Sequence, residues 1–231
     1  MNISHASPDC FEQMGRPDVL IHLAWDGLPN YKSLHHFETE LPKQYHFLKV
    51  MIEAGLPSLL VTGTCFEYGM QSGSLASDIL TKPNNPYGYA KDALRKQLEF
   101  QQSIIPFHLT WARLFYMYGE GQPATSLYPM LKDAVAREDK VFNMSGGEQL
   151  RDYLRVGDVV DQIVRLAMEN KNSGAINICS GNPISVRKLV ERWLIDNSWE
   201  IELNLGYYPY PDYEPMAFWG ERKNMDTVRD K

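Results

Sequence analysis

Tyr87 and Lys91 stand four residues apart in the run Tyr87-Gly-Tyr-Ala-Lys91. Residues at that spacing on a helix share one face, so the phenol and the ammonium can address a single site. A nearby cation favours the phenolate and lowers the pKa of a tyrosine from its ordinary value of about 10. The pair therefore predicts a tyrosine that donates or accepts a proton near neutral pH.

The spacing alone is weak evidence, because Tyr45 and Lys49 share it in the middle of an apolar helical run. Tyr87 differs because it follows a proline at the start of a predicted helix. Thr64 lies at the end of a predicted buried strand, and open parallel sheets bind ligands at the carboxyl ends of their strands. We therefore expect Thr64, Tyr87 and Lys91 to converge on one cleft, where the Thr64 hydroxyl can hydrogen-bond a substrate oxygen.

The elements that must position these residues alternate between apolar strands and longer helices. Strands that are apolar throughout are buried on both faces, which is typical of a parallel sheet covered by helices. The alternating order indicates a doubly wound α/β fold. In chain order, the first half contains a predicted strand at 19–24, a helix at 33–54, a strand at 58–62, a helix at 87–102 and a strand at 107–113.

The second half is less regular and indicates a smaller mixed α/β lobe. We predict one unit over residues 1–125 and a smaller lobe, interleaved with it, over residues 126–231. The helices predicted in the second half lie at 127–137, 156–168 and 185–196, and its strands lie near 141–142, 175–178 and 200–203.

Composition narrows the class of protein. The 231 residues include 44% hydrophobic and 23% charged residues, which is ordinary for a globular domain. A net charge of −6 disfavours nucleic acid and anionic membranes as partners, and no apolar run is long enough to span a bilayer. The three cysteines are odd in number and far apart, and no Cys/His pairs have zinc spacing. We therefore predict a soluble cytoplasmic enzyme without a metal site.

Two motifs carry a resemblance to a known family: Thr62-Gly-Thr-Cys-Phe-Glu-Tyr-Gly69 and Asn85-Pro-Tyr-Gly-Tyr-Ala-Lys91. They resemble the extended short-chain dehydrogenase/reductases, the NAD(P)-dependent epimerases, dehydratases and reductases of nucleotide sugars. The resemblance implies a Rossmann-like doubly wound parallel sheet, NADP or NAD as cofactor, a nucleotide-sugar substrate and a homodimer. It also implies that residues 1–125 are a partial dinucleotide-binding domain and that residues 126–231 are mainly a substrate-binding lobe. Further segments agree in order: His22-Leu-Ala24, Ala112-Arg-Leu-Phe-Tyr-Met-Tyr-Gly-Glu-Gly-Gln122, Arg151-Asp-Tyr153 and Gly174-Ala-Ile-Asn-Ile-Cys-Ser-Gly181.

The resemblance also implies roles for particular residues. Tyr87 is the implied proton donor or acceptor, Lys91 tunes it and holds the nicotinamide ribose, and Thr64 matches the catalytic Ser/Thr. The implied cofactor contacts are Leu23, Ala24, Trp25, Thr62, Tyr87, Lys91 and Leu114. The implied substrate contacts are Thr64, Cys65, Phe66, Tyr116 and Arg151.

Two of these substrate contacts have an alternative interpretation. Tyr116 stands where many members of the family have a substrate-facing Asn, so this tyrosine either meets the substrate or simply packs in the core. Arg151 matches the arginine that meets the nucleotide phosphates, and the alternative is an ordinary surface charge.

The family's glycine-rich turn has no counterpart before Asp18. In the family, glycines there let the backbone approach the cofactor pyrophosphate. Gly119-Glu-Gly-Gln-Pro-Ala124 fits the pattern but matches the substrate side of the family, and Pro123 removes an amide donor. We expect about one βαβ unit of the cofactor domain to be absent, which leaves apolar surface or an unpaired strand edge beside 19–24. The chain is then either a fragment or a relative without ordinary cofactor binding.

The residues after Thr64 narrow the reaction. Family dehydratases carry an acidic pair there, whereas this chain has Cys65 and Phe66, so an elimination lacks its acid and base. The remaining reactions are reduction of a 4-keto sugar and 4-epimerisation through a transient ketone. Gly63-Thr-Cys-Phe-Glu-Tyr-Gly69, with Pro215-Met-Ala-Phe-Trp219, most resembles the 4-ketoreductases of nucleotide-linked 6-deoxyhexoses. A 4-epimerase and a cofactor-free binding relative stay open as alternatives.

Relatives of this kind pair through two helices of each subunit. We therefore expect the helices at 33–54 and 87–102 to present an exposed apolar stripe for a homodimer. The stripe would include Phe47, Met51, Leu94 and Leu98.

Overall fold

The computed structural model describes residue 3 and residues 6–222 of the chain. Its helices are α1 (Cys10–Gln13), α2 (Leu41–Glu53), α3 (Pro86–Gln102), α4 (Leu127–Ala136), α5 (Val156–Met168) and α6 (Val186–Asn197). Its strands are β1 (Val19–His22), β2 (Ser58–Thr64), β3 (Gly73–Leu75), β4 (His108–Leu114), β5 (Tyr116–Tyr118), β6 (Val141–Asn143), β7 (Leu150–Arg151), β8 (Tyr153–Arg155), β9 (Gly174–Ile178), β10 (Ile184–Ser185), β11 (Glu202–Asn204) and β12 (Phe218–Gly220).

The centre of the molecule is a parallel sheet in the order β1-β2-β4-β9. Every residue of β2 is buried, because helices cover both faces of the sheet. Leu59 and Val61 pack in the cluster that contains the apolar residues of α2 and α3, whereas Leu60 packs with those of α5. The predicted Rossmann-like doubly wound sheet is confirmed.

The catalytic candidates stand at the ends of elements that the sequence defines locally. β2 continues to Thr64, two residues beyond the predicted end at Thr62. α3 begins at Pro86, and the Asn85 side chain accepts a hydrogen bond from the backbone N–H of Gly88 at 2.9 Å. An asparagine before a proline at the first helical position is a strong start signal, because the asparagine oxygen accepts from a free N–H of the first turn and the proline has no N–H to leave unpaired.

The second lobe is interleaved with the sheet. α5 and β9 lie beyond residue 125 in the chain, yet both belong to the sheet layer. The remaining elements of this part form short strand pairs around a core of their own, which includes Leu131, Phe142 and Trp193. In the part of the chain that the structure describes, no helix is long and apolar enough to cross a bilayer.

The expected exposed stripe on α2 and α3 is wrong. Phe47, Met51, Leu94 and Leu98 are at most 3% exposed and pack together against the sheet. An apolar helix stripe faces the core by default, and the two helices lie side by side on one face of the sheet. The large apolar residues that α3 does expose are Tyr89 and Phe100.

Within the described residues, β1 is an edge strand with β2 as its neighbour. Ile21, in β1, is 37% exposed, and Leu23, just after its end, is 61% exposed. This edge of the sheet therefore presents apolar side chains next to unpaired backbone groups.

Candidate active site

Thr64 ends β2 and caps the 3₁₀ turn formed by Cys65–Tyr68. Its side-chain oxygen accepts a hydrogen bond from the backbone N–H of Phe66 at 3.3 Å, while its own backbone N–H donates to the Glu67 carboxylate at 2.9 Å. This reciprocal arrangement is a capping box, which fixes both the backbone and the side chain of the capping residue. The structure therefore holds the Thr64 hydroxyl in a defined direction.

Lys91 is 2% exposed on the buried face of α3. Its ammonium donates a hydrogen bond to the backbone carbonyl of Thr62 at 2.9 Å, and it lies 4.1 Å from the centre of the Trp25 ring. The Tyr87 ring contacts the Trp25 ring edge-on, with 6.1 Å between centroids. The predicted cofactor contacts Trp25, Thr62, Tyr87 and Lys91 thus form one continuous group at the end of β2.

A large cavity of about 720 Å³ lies at the carboxyl ends of β2 and β4. Its walls come from these strand ends, from α3, and from residues of the second half of the chain such as Tyr153 and Trp193. The predicted site residues that line it are Thr64, Cys65, Phe66, Tyr87, Leu114 and Tyr116. Lys91 and Thr62 lie outside its lining, as do Leu23, Ala24, Trp25 and Arg151.

The electrostatics of the pair differ from the expected lowering of the tyrosine pKa. Burial raises the pKa of the Tyr87 phenol above its ordinary value, and hydrogen bonding with Thr64 opposes that rise. Burial also lowers the pKa of Lys91 to about 7, against the opposing negative charges of Glu67 and Glu40. Both side chains lie in low-dielectric surroundings, where the cost of removing a charge from water exceeds their mutual attraction. The buried Tyr87 is therefore a protonated donor at neutral pH.

Arg151 is not the surface charge considered as an alternative. It is 2% exposed, and its guanidinium forms an ion pair with the Glu214 carboxylate at 3.1 Å. The Tyr116 hydroxyl donates a hydrogen bond to the same carboxylate. Arg151, Glu214 and Tyr116 also line a second cavity of about 320 Å³. The structure therefore joins two predicted substrate contacts through a residue that the sequence did not single out.

Four aromatic rings, including that of Tyr87, form one cluster beside the cavity. Tyr31 lies 4.7 Å from Phe66, 5.6 Å from Tyr87 and 6.1 Å from Tyr213 between ring centroids. Tyr213 belongs to the Tyr/Pro-rich segment 207–215, to which sequence analysis assigned no role. Its aromatic content was the one available signal, since large rings in a loop often contact a binding site.

Burial makes the cavity cysteine unreactive. The pKa of the Cys65 thiol is raised far above its ordinary value, first by burial and then by the Glu214 charge. A thiol in that state is a small apolar wall residue and not a nucleophile. Glu120 is the one acidic residue among the described residues that line the cavity.

The residues around Lys91 fit the nicotinamide-ribose end of a dinucleotide. An ammonium carries three donors, and the hydrogen bonds among the described residues use one of them, to Thr62. The glycine-rich string 119–124 does not offer a pyrophosphate cradle at the sheet, because it follows β5, which pairs with β8 outside the four-stranded sheet. Glu120 to Pro123 line the large cavity instead. The described residues therefore carry the donors that one end of a cofactor site needs.

The sequence pattern of the NAD dependent epimerase/dehydratase family matches residues 4–179. The chain belongs to this family. Among curated proteins it is similar to the dTDP-6-deoxy-L-talose 4-dehydrogenase (NAD(+)) of Aggregatibacter actinomycetemcomitans, with 32% identity over 89% of this chain and 76% of that protein. It is also similar to the dTDP-4-dehydro-6-deoxyglucose reductase of Escherichia coli, with 24% identity over 75% of this chain and 57% of that protein.

The fold of this family member agrees with solved structures. The UDP-N-acetylglucosamine 4-epimerase of Methanobrevibacter ruminantium M1, in complex with UDP-N-acetylmuramic acid, superimposes with a TM-score of 0.83 at 17% identity. The match covers 100% of this chain and 76% of that one, and it shows the fold alone. The predicted family, the predicted enzyme class and the predicted NAD(P) cofactor class are confirmed. The roles of the individual site residues stay predictions.

Proposed function

We propose that the protein carries out NAD(P)-dependent reduction of a nucleotide-linked 4-keto-6-deoxy sugar. The observation that carries the proposal is the placement of Thr64 and Tyr87 on one wall of the large cavity, with Lys91 directly behind them. The names of both curated relatives specify a 6-deoxy sugar and position 4 of that sugar, which supports this substrate class.

The chain's own residues supply the proton and the orientation. NAD(P)H, when bound, would supply the hydride that reduces the C4 carbonyl. Tyr87 donates its phenolic proton to the ketone oxygen as negative charge develops there, and Thr64 donates a hydrogen bond to the same oxygen. Lys91 holds the strand end through Thr62 and offers its remaining donors to the nicotinamide ribose. Arg151 lines the 320 Å³ cavity and would offer its positive charge to the nucleotide phosphates there.

The lining of the cavity favours reduction over elimination. An elimination needs a second acid–base group, and Cys65 and Phe66 occupy the positions where dehydratases place theirs. A 4-epimerase uses the same tyrosine and threonine, so it is the nearest alternative. The other alternative is a relative that binds a ligand without catalysis. In such a protein the buried Lys91 ammonium beside Tyr87 would have no role.

An assay of the natural protein distinguishes the reductase, the epimerase and the binding relative. We expect NADH or NADPH to be consumed when a nucleotide-linked 4-keto-6-deoxyhexose is added, with one nicotinamide oxidised per sugar reduced. Nicotinamide absorbance measures the reaction, and the same nucleotide sugar with a hydroxyl at C4 serves as the control. Inversion of that control sugar without net use of cofactor would establish the epimerase. Failure of NAD(P)H to bind in a fluorescence titration would establish the binding relative.

The protein is also proposed to be a cytoplasmic homodimer. All three cysteines are buried and free, which supports a reducing compartment. The apolar surface that supports a dimer is on α3 and just after it, where Tyr89, Phe100 and Ile104 are 56%, 73% and 80% exposed. Analytical ultracentrifugation at micromolar concentration should show a dimer, and Phe100→Glu should shift it toward the monomer. A monomeric parent protein would contradict the assembly.

A further inference from the structure

The Glu67 carboxylate is fully buried beneath the catalytic end of β2. Oε1 accepts hydrogen bonds from the Thr64 backbone N–H and the Trp111 indole N–H, each at 2.9 Å. Oε2 accepts one from the Arg113 guanidinium at 2.6 Å and a second contact from Trp111 at 3.1 Å. Both oxygens of one carboxylate therefore connect β4 to the residue expected to bind the substrate oxygen.

No free space separates this carboxylate from the strand end. A methyl group added at Gly63 would lie 2.5 Å from Glu67 Oε1 and 2.2 Å from the Trp111 indole nitrogen. Distances below about 3 Å cannot be accommodated without moving the neighbouring atoms. Glycine at position 63 is thus the residue that lets the carboxylate and the indole pack directly onto the backbone.

The donors to Glu67 are themselves fixed. The Arg113 guanidinium also donates to the Tyr68 hydroxyl at 3.1 Å and to the backbone carbonyl of Ser77 at 2.8 Å. The Tyr68 hydroxyl donates to Asn177 Oδ1, on β9, at 2.6 Å. The carboxylate is therefore anchored to two neighbouring strands and cannot follow a movement of Thr64.

Two charged side chains hold the last three residues of β2, one at Thr62 and the other at Thr64. Lys91 binds the carbonyl of Thr62, and Glu67 binds the N–H of Thr64. A buried ion pair such as Glu67–Arg113 contributes little net stability compared with apolar residues of the same volume. Stability alone therefore does not explain this ion pair. A role in positioning does, because a displacement of about 1 Å at a reacting group costs about 10²-fold in rate.

We propose that Glu67 is a positioning residue, which holds the Thr64 backbone so that its hydroxyl meets the C4 oxygen of the substrate. The proposal rests on the reduction proposed above. It assigns to Glu67 no contact with substrate or cofactor, and Glu67 is absent from the lining of the large cavity.

Glu67→Gln tests this positioning role because it keeps the size of the side chain. Glutamine offers one oxygen where glutamate offers two. The charged Arg113 guanidinium binds that oxygen more strongly than the Thr64 N–H does. The new NH₂ group then faces the Thr64 N–H, so that hydrogen bond is lost. We expect faster hydrogen exchange at the Thr64 amide by NMR and a kcat lower by about 10- to 100-fold, with KM for the sugar little changed.

Glu40→Gln is the matched control. Glu40 is also fully buried, and its carboxylate also accepts a backbone N–H, that of Asp26, at 3.1 Å, but it does not touch β2. We expect the control to keep the Thr64 amide protection of the wild type. Glu67→Asp, which keeps the charge and shortens the reach, should behave like Glu67→Gln.

Two outcomes would overturn the proposal. One is wild-type protection of the Thr64 amide in both Glu67 variants, and the other is a loss of that protection in Glu40→Gln equal to the loss in Glu67→Gln. The exchange measurement needs no turnover, so it decides the role of Glu67 in holding Thr64 even where the wild type reduces no keto sugar. Absence of turnover in the wild type would instead refute the proposed reduction.

Discussion

Tyr87→Phe should lower the turnover of a nucleotide-linked 4-keto-6-deoxyhexose by about 10²–10⁴-fold. The substitution keeps the ring, which packs against Trp25, Tyr31 and Phe66, and removes only the proton donor. KM should therefore change little, because the interaction lost is made in the transition state. Steady-state kinetics with the full-length protein measure both quantities.

Tyr89→Phe is the control for this substitution. Tyr89 lies two residues further along the same helix and is 56% exposed. The substitution Tyr89→Phe makes the same chemical change outside the cavity, and we expect this variant to have wild-type kinetics. A Tyr87→Phe protein that reduced the keto sugar as fast as the wild type would show that another group donates the proton.

Lys91→Met should weaken function and strengthen the fold at the same time. Loss of the ammonium should lower turnover by about 10²-fold or more and weaken NAD(P)H binding, because it acts on both the strand end and the ribose. Methionine has a similar length and no charge to desolvate, so the free energy of unfolding should rise by about 1–3 kcal/mol after the lost hydrogen bond to Thr62 is counted.

The pH dependence of this gain has a definite sign. Burial lowers the pKa of Lys91 from 10.5 to about 7 in the folded state. The unfolded chain therefore binds the proton more readily, and the charged lysine opposes folding most below about pH 7. The stabilisation by Lys91→Met should be full below that pH and should disappear as the pH rises toward 10.5.

Urea unfolding across this pH range checks the prediction, with Lys96→Met as the control. Lys96 lies on the same helix, its side chain is 50% exposed, and it pairs with Asp92. We expect its replacement to change the free energy of unfolding by less than about 0.5 kcal/mol. A Lys91→Met protein less stable than the wild type near pH 6 would mean that the hydrogen bond to Thr62 outweighs the cost of burying the charge.

The sequence predicted the elements whose signals are local. α5 was predicted over its observed span, Val156–Met168, because its apolar residues repeat with the helical period. The start of α3 was predicted from Pro86 as Tyr87, one residue after the observed start. The short strands β3, β5, β7, β8, β10 and β12 were not predicted, because two or three residues are too few to show a period of two.

The catalytic candidates were easier to predict from the sequence than the residues that hold them in place. Thr64 and Tyr87 could be placed at one cavity because a strand end and a helix start are local features. The capping box from Thr64 to Glu67 was also present in the sequence, as a threonine followed three residues later by a glutamate, and sequence analysis missed it. Glu214 could not have been found in this way, since it meets Tyr116 across 98 residues.

The burial of Phe47 and Leu94 shows a different kind of error. Their helical spacing indicated an apolar stripe correctly, but the resemblance to dimeric relatives led to the prediction that it faced a second subunit. The stripe instead covers the sheet of the same chain. An amphipathic helix beside a buried strand should first be assigned to its own core.

The order of the strands has a consequence for how the protein folds. β9 follows β4 in the sheet but comes late in the chain, and the Tyr68–Asn177 hydrogen bond closes a separation of 109 residues. Contacts of such high contact order form slowly, because the entropy of closing the loop is lost before the contact can compensate for it. We expect β1, β2 and β4 to collapse with α2 and α3 first, and β9 to dock afterwards. The polar network behind Thr64 is then completed only in that last step. The chain therefore becomes compact before its site residues reach their final positions.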